Sequence, residues 1–369
     1  MEQRSVLAFG QFKRDERVSL SVIAQEASLG LHLFDDAKGV ANWLEGNAPH
    51  VFLIDNAASG AEQVCLEARS RSIQALTPII SLSRELDDLT FAEVFNWGGD
   101  DAVGVSAVYP LLSRVRALPR EPLAQSRTTR GTAVVADPDR SRRIVRARVL
   151  RNAGYDVEFA ITASDTMQRA SQKTTRLVVL DEDLEDGVTE LVHAARKHPA
   201  TLFLLMCAPR NIAERSTPLE GLTNASVADG FAPPENVVFL ANELARGGAS
   251  DQRTSRRLLY GTTVTFRGEG KSSDDFGYSY NISAGGLYVR TLAPPQDDFV
   301  WLELCPPRSD RRVRVEGEVV WRRGFGPAES ATVPPGFGVR IVDGTRKNMQ
   351  AWIDSYSSFC AALGVSERA

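Results

Sequence analysis

Three arginines, Arg253, Arg256 and Arg257, fall within the stretch Gln-Arg-Thr-Ser-Arg-Arg at 252–257. A guanidinium is a flat, permanently charged fork that holds a phosphate through two parallel bonds and stacks on a purine face, neither of which an ammonium does. Further along, Asn281-Ile282-Ser283-Ala284-Gly285-Gly286 offers an amide and a hydroxyl able to bond a phosphate oxygen or the polar edge of a guanine. Its paired glycines, Gly285 and Gly286, would let such a ligand reach the backbone. The combination reads RxxxR (Arg253, Arg257) followed by NxSxxG (Asn281, Ser283, Gly286). Either half alone has a plainer reading, a solvated basic linker or a loop whose Asn and Ser satisfy their own turn. Together they point to a small phosphate-bearing ligand. Starting the first half at Arg256 would put Tyr260 in its second place, and counting back from Val264, expected to open the first strand, favours Arg257.

A second set of residues ends short apolar runs. Residues 51–54 lead into Asp55, and residues 177–180 lead into Asp181 and an acidic turn at 182–187. Asp137 and Asp139, split by Pro138, follow the run 132–136; in the earlier stretch Gly10-Gln11 stands at the matching place. Carboxylates so placed can cap the turn that follows.

Elements must hold these residues in place. The runs 5–10, 51–54 and 78–82 are continuous and apolar, separated by helical-length polar stretches, which is the pattern of parallel strands buried on both faces. The order recurs at 132–136, 177–180 and 202–206. Asp55 and Asp181 are 126 residues apart, Ser83 and Cys207 124, so one domain repeats. Amphipathic helices are expected at 141–152 and 189–197. After a flexible joint of small residues at 245–250, alternating runs at 262–267, 286–291, 299–304, 312–321 and 337–342 indicate an antiparallel sheet or small barrel. A helix from about 346 to 363 closes it. The expected fold is α/β plus β: two doubly wound parallel-sheet domains, at 1–120 and 130–245, then a small antiparallel β-barrel with a C-terminal helix at 251–369.

Both repeats resemble the receiver domains of response regulators, through Asp55 and Asp181 at the phospho-acceptor position, Ser83 at the hydroxyl switch position, and the segment LDEDLEDG at 180–187. The resemblance implies a phosphoryl group carried on the aspartate beside a Mg²⁺ held by an acidic pair, which Gly10-Gln11 lacks and for which Asp137 and Asp139 with Asp181 are the weak candidates, although no metal is expected; it also implies a Lys after the fifth strand, where Val105 and Pro233 align. Cys207 replaces the second hydroxyl. Both units are therefore expected to be pseudo-receivers, unphosphorylated, that dock protein partners or dimerise. RxxxR and NxSxxG, with GEVVW at 317–321 and PPGFGVRI at 334–341, resemble the PilZ domain, the bacterial receptor for cyclic di-GMP. That resemblance implies a cyclic di-GMP site at Arg253, Arg257, Asn281, Ser283 and Gly286, with Arg256 and Gly285 as further candidates. The ligand would reorder the joint and alter domain or partner contacts. The alternative is a scaffold that binds no nucleotide and acts through its receiver-like surfaces.

Composition narrows the field. At 43% hydrophobic and 24% charged the chain has material for several cores. Its net charge of −4 argues against a polyanion binder. From residue 251 onward 16 Lys and Arg face 14 Asp and Glu, so that part is +2 and the rest −6, which favours one small dianion over DNA. Four scattered cysteines suit a reducing compartment rather than zinc or disulfides. No run approaches the roughly 20 apolar residues of a membrane span, and the first residues do not form a secretory signal; a cytoplasmic protein is expected. GEGKSS at 268–273 lacks the glycine of a phosphate-binding loop, with Thr265 in its place, and no catalytic motif appears. No enzyme is expected.

Overall fold

The structure, a computed structural model, describes residues 4–71, 76–120, 130–246, 255–326 and 333–367. Arg253 and most of the joint lie outside the described residues. Ala245 and Arg246, read above as its start, instead form the last turn of a helix.

The first sheet contains β1 (Ser5–Phe9), β2 (Gly30–Phe34), β3 (Val51–Asp55), β4 (Ile79–Ser83) and β5 (Asp101–Gly104), all parallel, in the order β2-β1-β3-β4-β5. Helices α1 (Arg14–Glu26), α2 (Ala37–Leu44), α3 (Ala61–Ser70), α4 (Asp88–Asn96) and α5 (Val108–Ala117) cover both faces. Every residue of β1, β3 and β4 is buried, which is why these strands read as unbroken apolar runs. Strand β2 sits at the edge and is half exposed, so its sequence carries no such run.

The second sheet repeats the first: β6 (Thr132–Ala136), β7 (Asp156–Ala160), β8 (Thr175–Asp181), β9 (Leu202–Cys207) and β10 (Ala225–Asp229), ordered β7-β6-β8-β9-β10. Its helices are α6 (Arg140–Asn152), α7 (Ala163–Ala170), α8 (Gly187–Lys197), the short α9 (Ile212–Ser216) and α10 (Asn236–Arg246). In both units the strand order reverses beside the first strand, and the loops at the carboxyl ends there carry the candidate aspartates.

The third unit is a closed antiparallel barrel. Strands β12 (Thr263–Gly268), β13 (Asp275–Ser283), β14 (Gly286–Arg290), β15 (Phe299–Leu304), β16 (Val313–Arg323) and β17 (Gly336–Gly344) pair around in the order β13-β12-β15-β16-β17-β14, and β14 closes onto β13. A two-residue strand, β11 (Leu258–Leu259), adds to β13, so Val264 is not the opening residue of the unit's first strand. Val264, Leu302, Val315 and Phe337 fill the interior, and α11 (Arg346–Ala362) seals one end with Trp352, Tyr356 and Cys360. Closure leaves six strands without an open edge.

The units are packed on one another. The barrel sits on α4, β5 and α5 of the first unit. Asp88 accepts from the Thr263 backbone N–H and from the hydroxyls of Thr262 and Thr263. Arg114, wholly buried, donates to Asp101 at 2.7 Å, to Asp275 at 2.9 Å and to the Phe276 carbonyl at 2.6 Å. The Tyr278 ring packs against both Phe91 and Phe95. The second unit is tied to the first through Asn96 and the Phe231 carbonyl, and to the barrel through the Tyr280 hydroxyl and the Glu235 carbonyl.

Candidate functional site

The candidate nucleotide residues converge at the β13–β14 hairpin. Asn281 lies inside β13 and Ser283 ends it, with Ala284-Gly285 as the two-residue turn, so both precede the turn rather than open a strand. Strand β11 pairs Leu258 with Ile282 and Leu259 with Asn281. Continued by one residue, that register sets Arg257 opposite Ser283, joining two segments distant in sequence. Ile282 and Leu258 point into the barrel core. Arg257, Asn281 and Ser283 therefore share the outer face by strand alternation.

Several contacts fix this corner. Tyr356 on α11 donates its hydroxyl to the Arg256 carbonyl at 2.6 Å, and the Arg256 N–H donates to the Glu367 carbonyl at 3.0 Å. The Trp352 indole N–H donates to the Ala284 carbonyl at 3.0 Å. Arg256 and Arg257 are exposed, while Asn281 is buried. Ser283 Oγ donates to the Gly286 carbonyl. Gly286 has a reason independent of any ligand, since a Cβ there would run into the Val339 carbonyl of β17. Gly285 faces open space.

The acidic positions hold arginine instead of room for a metal. In the first unit Asp55 pairs with Arg84 at 2.9 Å, and Arg84 also reaches Glu16 at 3.4 Å. Gly10 lies against the Asp55 side chain and contributes no carboxylate. In the second unit Asp137, fully buried, binds Arg142 at 2.9 Å and Arg146, while Arg146 reaches Asp181 at 3.4 Å. Asp139 does not join them, because its carboxylate caps α6 by accepting the Arg142 N–H. Burial, then repulsion from Asp137, pushes the Asp181 carboxyl up to about 6, with Arg142 and Arg146 opposing the rise. A Mg²⁺ beside Asp181 would have to displace two guanidiniums. The residues present do not fit the ion, and no group of three His, Cys, Asp or Glu side chains among the described residues could hold a metal.

One alignment needs correction. The Val105 N–H donates to the Ser83 carbonyl, and the Gly230 N–H donates to the Cys207 carbonyl. Gly230, rather than Pro233, is thus the counterpart of Val105; Pro233 lies three residues on, in the approach to α10. Arg146 donates to the Gly230 carbonyl at 3.1 Å, so a guanidinium from α6 occupies the corner left by the missing lysine. The Cys207 thiol, buried, is pushed up to about 11 and stays protonated.

Arg84, Arg142 and Arg146 were not singled out from sequence. The one available signal was the spacing of Arg142 and Arg146, four apart on a single face of a helix that begins just after Asp137. Arg84 comes from the β4–α4 loop, whose reach toward Asp55 no local pattern announces.

Residues 251–357 match the family model of the PilZ domain. No curated protein sequence matches the chain. Among solved structures, the inhibitor of motility MotI/DgrA of Bacillus subtilis is similar at 19% identity over 31% of this chain and 53% of its own, with a TM-score of 0.25. The chain thus spans about half of that structure. The PilZ domain of CeSA from a cellulose-synthesizing bacterium is similar at 15% identity, over 30% of this chain and 99% of its own, with a TM-score of 0.21. A response regulator in red light signaling of R. palustris is similar at 15% identity, over 31% of this chain and 90% of its own, with a TM-score of 0.27. The C-terminal unit is a PilZ domain, preceded by two receiver-like units. Among the described residues no helix is long and apolar enough to cross a membrane.

Proposed function

We propose that the chain is a signalling effector that binds cyclic di-GMP at the outer face of the β13–β14 hairpin. Arg253 and Arg257 would clamp the two phosphates, and Asn281 and Ser283 would read a guanine edge or a phosphate oxygen. The observation that carries this reading is the register of β11 on β13, which, continued by one residue, sets Arg257 opposite Ser283 on the face that also carries Asn281. Arg256 is tied by its backbone to the C-terminal tail and plays the lesser part.

Strand β13 gives the ligand something to act on. Its last residues belong to the candidate site, while Asp275, Phe276 and Tyr278, upstream on the same strand, bind the first receiver-like unit. Ordering the arginine segment over the hairpin would bias how the barrel sits on α4 and α5. The bias is limited to the difference in ligand affinity between the two arrangements. The receiver-like surfaces would then present a protein partner with one arrangement or the other.

Calorimetry on the full chain tests the reading. Arg253→Ala and Arg257→Ala should each weaken cyclic di-GMP binding by about 1.5–3 kcal/mol, and Ser283→Ala by less. Unchanged affinity in both arginine variants would overturn the site. At 100 times the dissociation constant the ligand should add about 2.7 kcal/mol of stability. No shift in a folded protein would leave the interaction scaffold as the better account.

A further inference from the structure

Where the three units meet, a cavity of about 40 Å³ is lined by Asp100 of the first unit, Arg148 and Glu235 of the second, and Tyr280, Arg290 and Arg323 of the barrel. One water needs only ~10–15 Å³. The charges around this space do not balance. Arg148 pairs with Asp100 and lies 4.0 Å from Glu235 Oε1; Arg290 binds the same oxygen at 2.9 Å; Arg69 shares Asp100 at 2.7 Å. With Arg323, four guanidiniums among the described residues stand against two carboxylates, and three of the four line the cavity. Burial and the neighbouring Arg69 push Arg148 down to about 9, and burial pushes Arg69 down to about 10. Charge in this excess is unfavourable away from water unless a counterion accompanies it.

The hydrogen bonding is also incomplete. Among the described residues, Arg148 Nε, Arg290 Nε and Nη1, and Arg323 Nε have no hydrogen-bond partner, and neither has Glu235 Oε2. Arg148 and Arg290 are only 5% and 3% exposed. Buried polar groups are nearly always satisfied, so several orphans on the walls of one cavity mark a missing ligand with both acceptors and a donor.

We propose that this cavity is a binding site for hydrogen phosphate, separate from the hairpin. Its two negative charges match the excess of two positive ones. Its unprotonated oxygens accept from the guanidiniums, and its O–H donates to Glu235 Oε2. Sulfate has the charge but no proton to donate, and the phosphodiester of a cyclic dinucleotide has one charge and no O–H. Because each unit supplies part of the wall, the bound ion would hold the three together.

The test is calorimetry on the full chain in a buffer free of phosphate and sulfate. Inorganic phosphate should bind once per chain, with sulfate at least tenfold weaker. Arg323→Gln, checked for folding by circular dichroism, should weaken phosphate binding at least tenfold. Glu235→Gln, checked for folding by circular dichroism, should erase the preference for phosphate over sulfate. Absence of phosphate binding to the folded parent, or binding that neither variant alters, would overturn the site. Cyclic di-GMP should bind phosphate-saturated protein with undiminished affinity. Direct competition would assign the cavity to the nucleotide and overturn a separate phosphate site, whereas failure of cyclic di-GMP to bind at all would count against the hairpin alone.

Discussion

The two receiver-like units share a sheet order and differ in how each neutralises the aspartate at the end of its third strand. In the first, one guanidinium, Arg84, comes from a loop, remains 39% exposed and serves both Asp55 and Glu16. In the second, Arg142 and Arg146 come from α6 and face Asp137 and Asp181 in a nearly closed pocket. In the first site an exposed guanidinium covers two buried carboxylates; in the second Arg146 is buried with the carboxylates it serves. Both fill with protein cations the place where a phosphoryl-transfer site needs a metal, and only the second does so at a cost that pH can reveal.

Breaking the second cluster should have the largest effect. Arg146→Met leaves two carboxylates buried against each other with one guanidinium fewer, and should destabilise the protein by about 3–5 kcal/mol in denaturant titrations at pH 7. Asp181→Asn works the other way. The folded state holds the Asp181 proton up to about pH 6, against an ordinary value of 3.8. Between those limits the folded chain carries more protons than the unfolded one, so stability falls as pH rises from about 4 to 6 and then levels off. The variant should remove that slope and gain about 1–3 kcal/mol at pH 7; a loss instead would mean that the bond to Arg146 outweighs repulsion from Asp137. In the first site Arg84→Ala leaves the buried Asp55 and Glu16 reachable by water where the arginine lay, and should cost about 1–3 kcal/mol. A loss as large as that of Arg146→Met would erase the contrast between the units. The smallest expected effect is none: acetyl phosphate with Mg²⁺ should leave the intact mass unchanged, and an adduct abolished by Asp181→Asn would show that the arginines yield to the ion.

Much of the fold was legible because burial on both faces forces unbroken apolar runs, as in Leu-Val-Val-Leu before Asp181. Edge strands β2 and β7 were not, since half-exposed residues such as those of Gly30–Phe34 resemble any mixed loop. Strand β13 was missed because Asp275, Ser279 and Asn281 interrupt it; these polar residues are buried or half-buried in contact with β12, β11 and the first unit, which no local window shows. The hairpin motif could be read because its halves are linear signatures. Its assembly depended on the β11 register, and the arginines that replace a metal depended on tertiary reach. Gly286, expected to make room for a ligand, is accounted for by the approach of β17.

Strand β13 carries a bulge between Ser279 and Asn281, where Tyr280 is the extra residue. In an unbroken strand Tyr278, Tyr280 and Ile282 would project from one side. Here Tyr278 packs against the first unit and Tyr280 against the second, yet Ile282 enters the barrel core. The strand is thus read in two frames. At Tyr278 and Tyr280 the even-numbered side chains address the neighbouring units; beyond the bulge Ile282 addresses the interior, and the odd-numbered Asn281 and Ser283 are turned outward. Deleting Tyr280 would leave plain alternation, with Tyr278, Asn281 and Ser283 outward and Ser279 and Ile282 inward, and would remove only the contact that Tyr280 makes with the second unit.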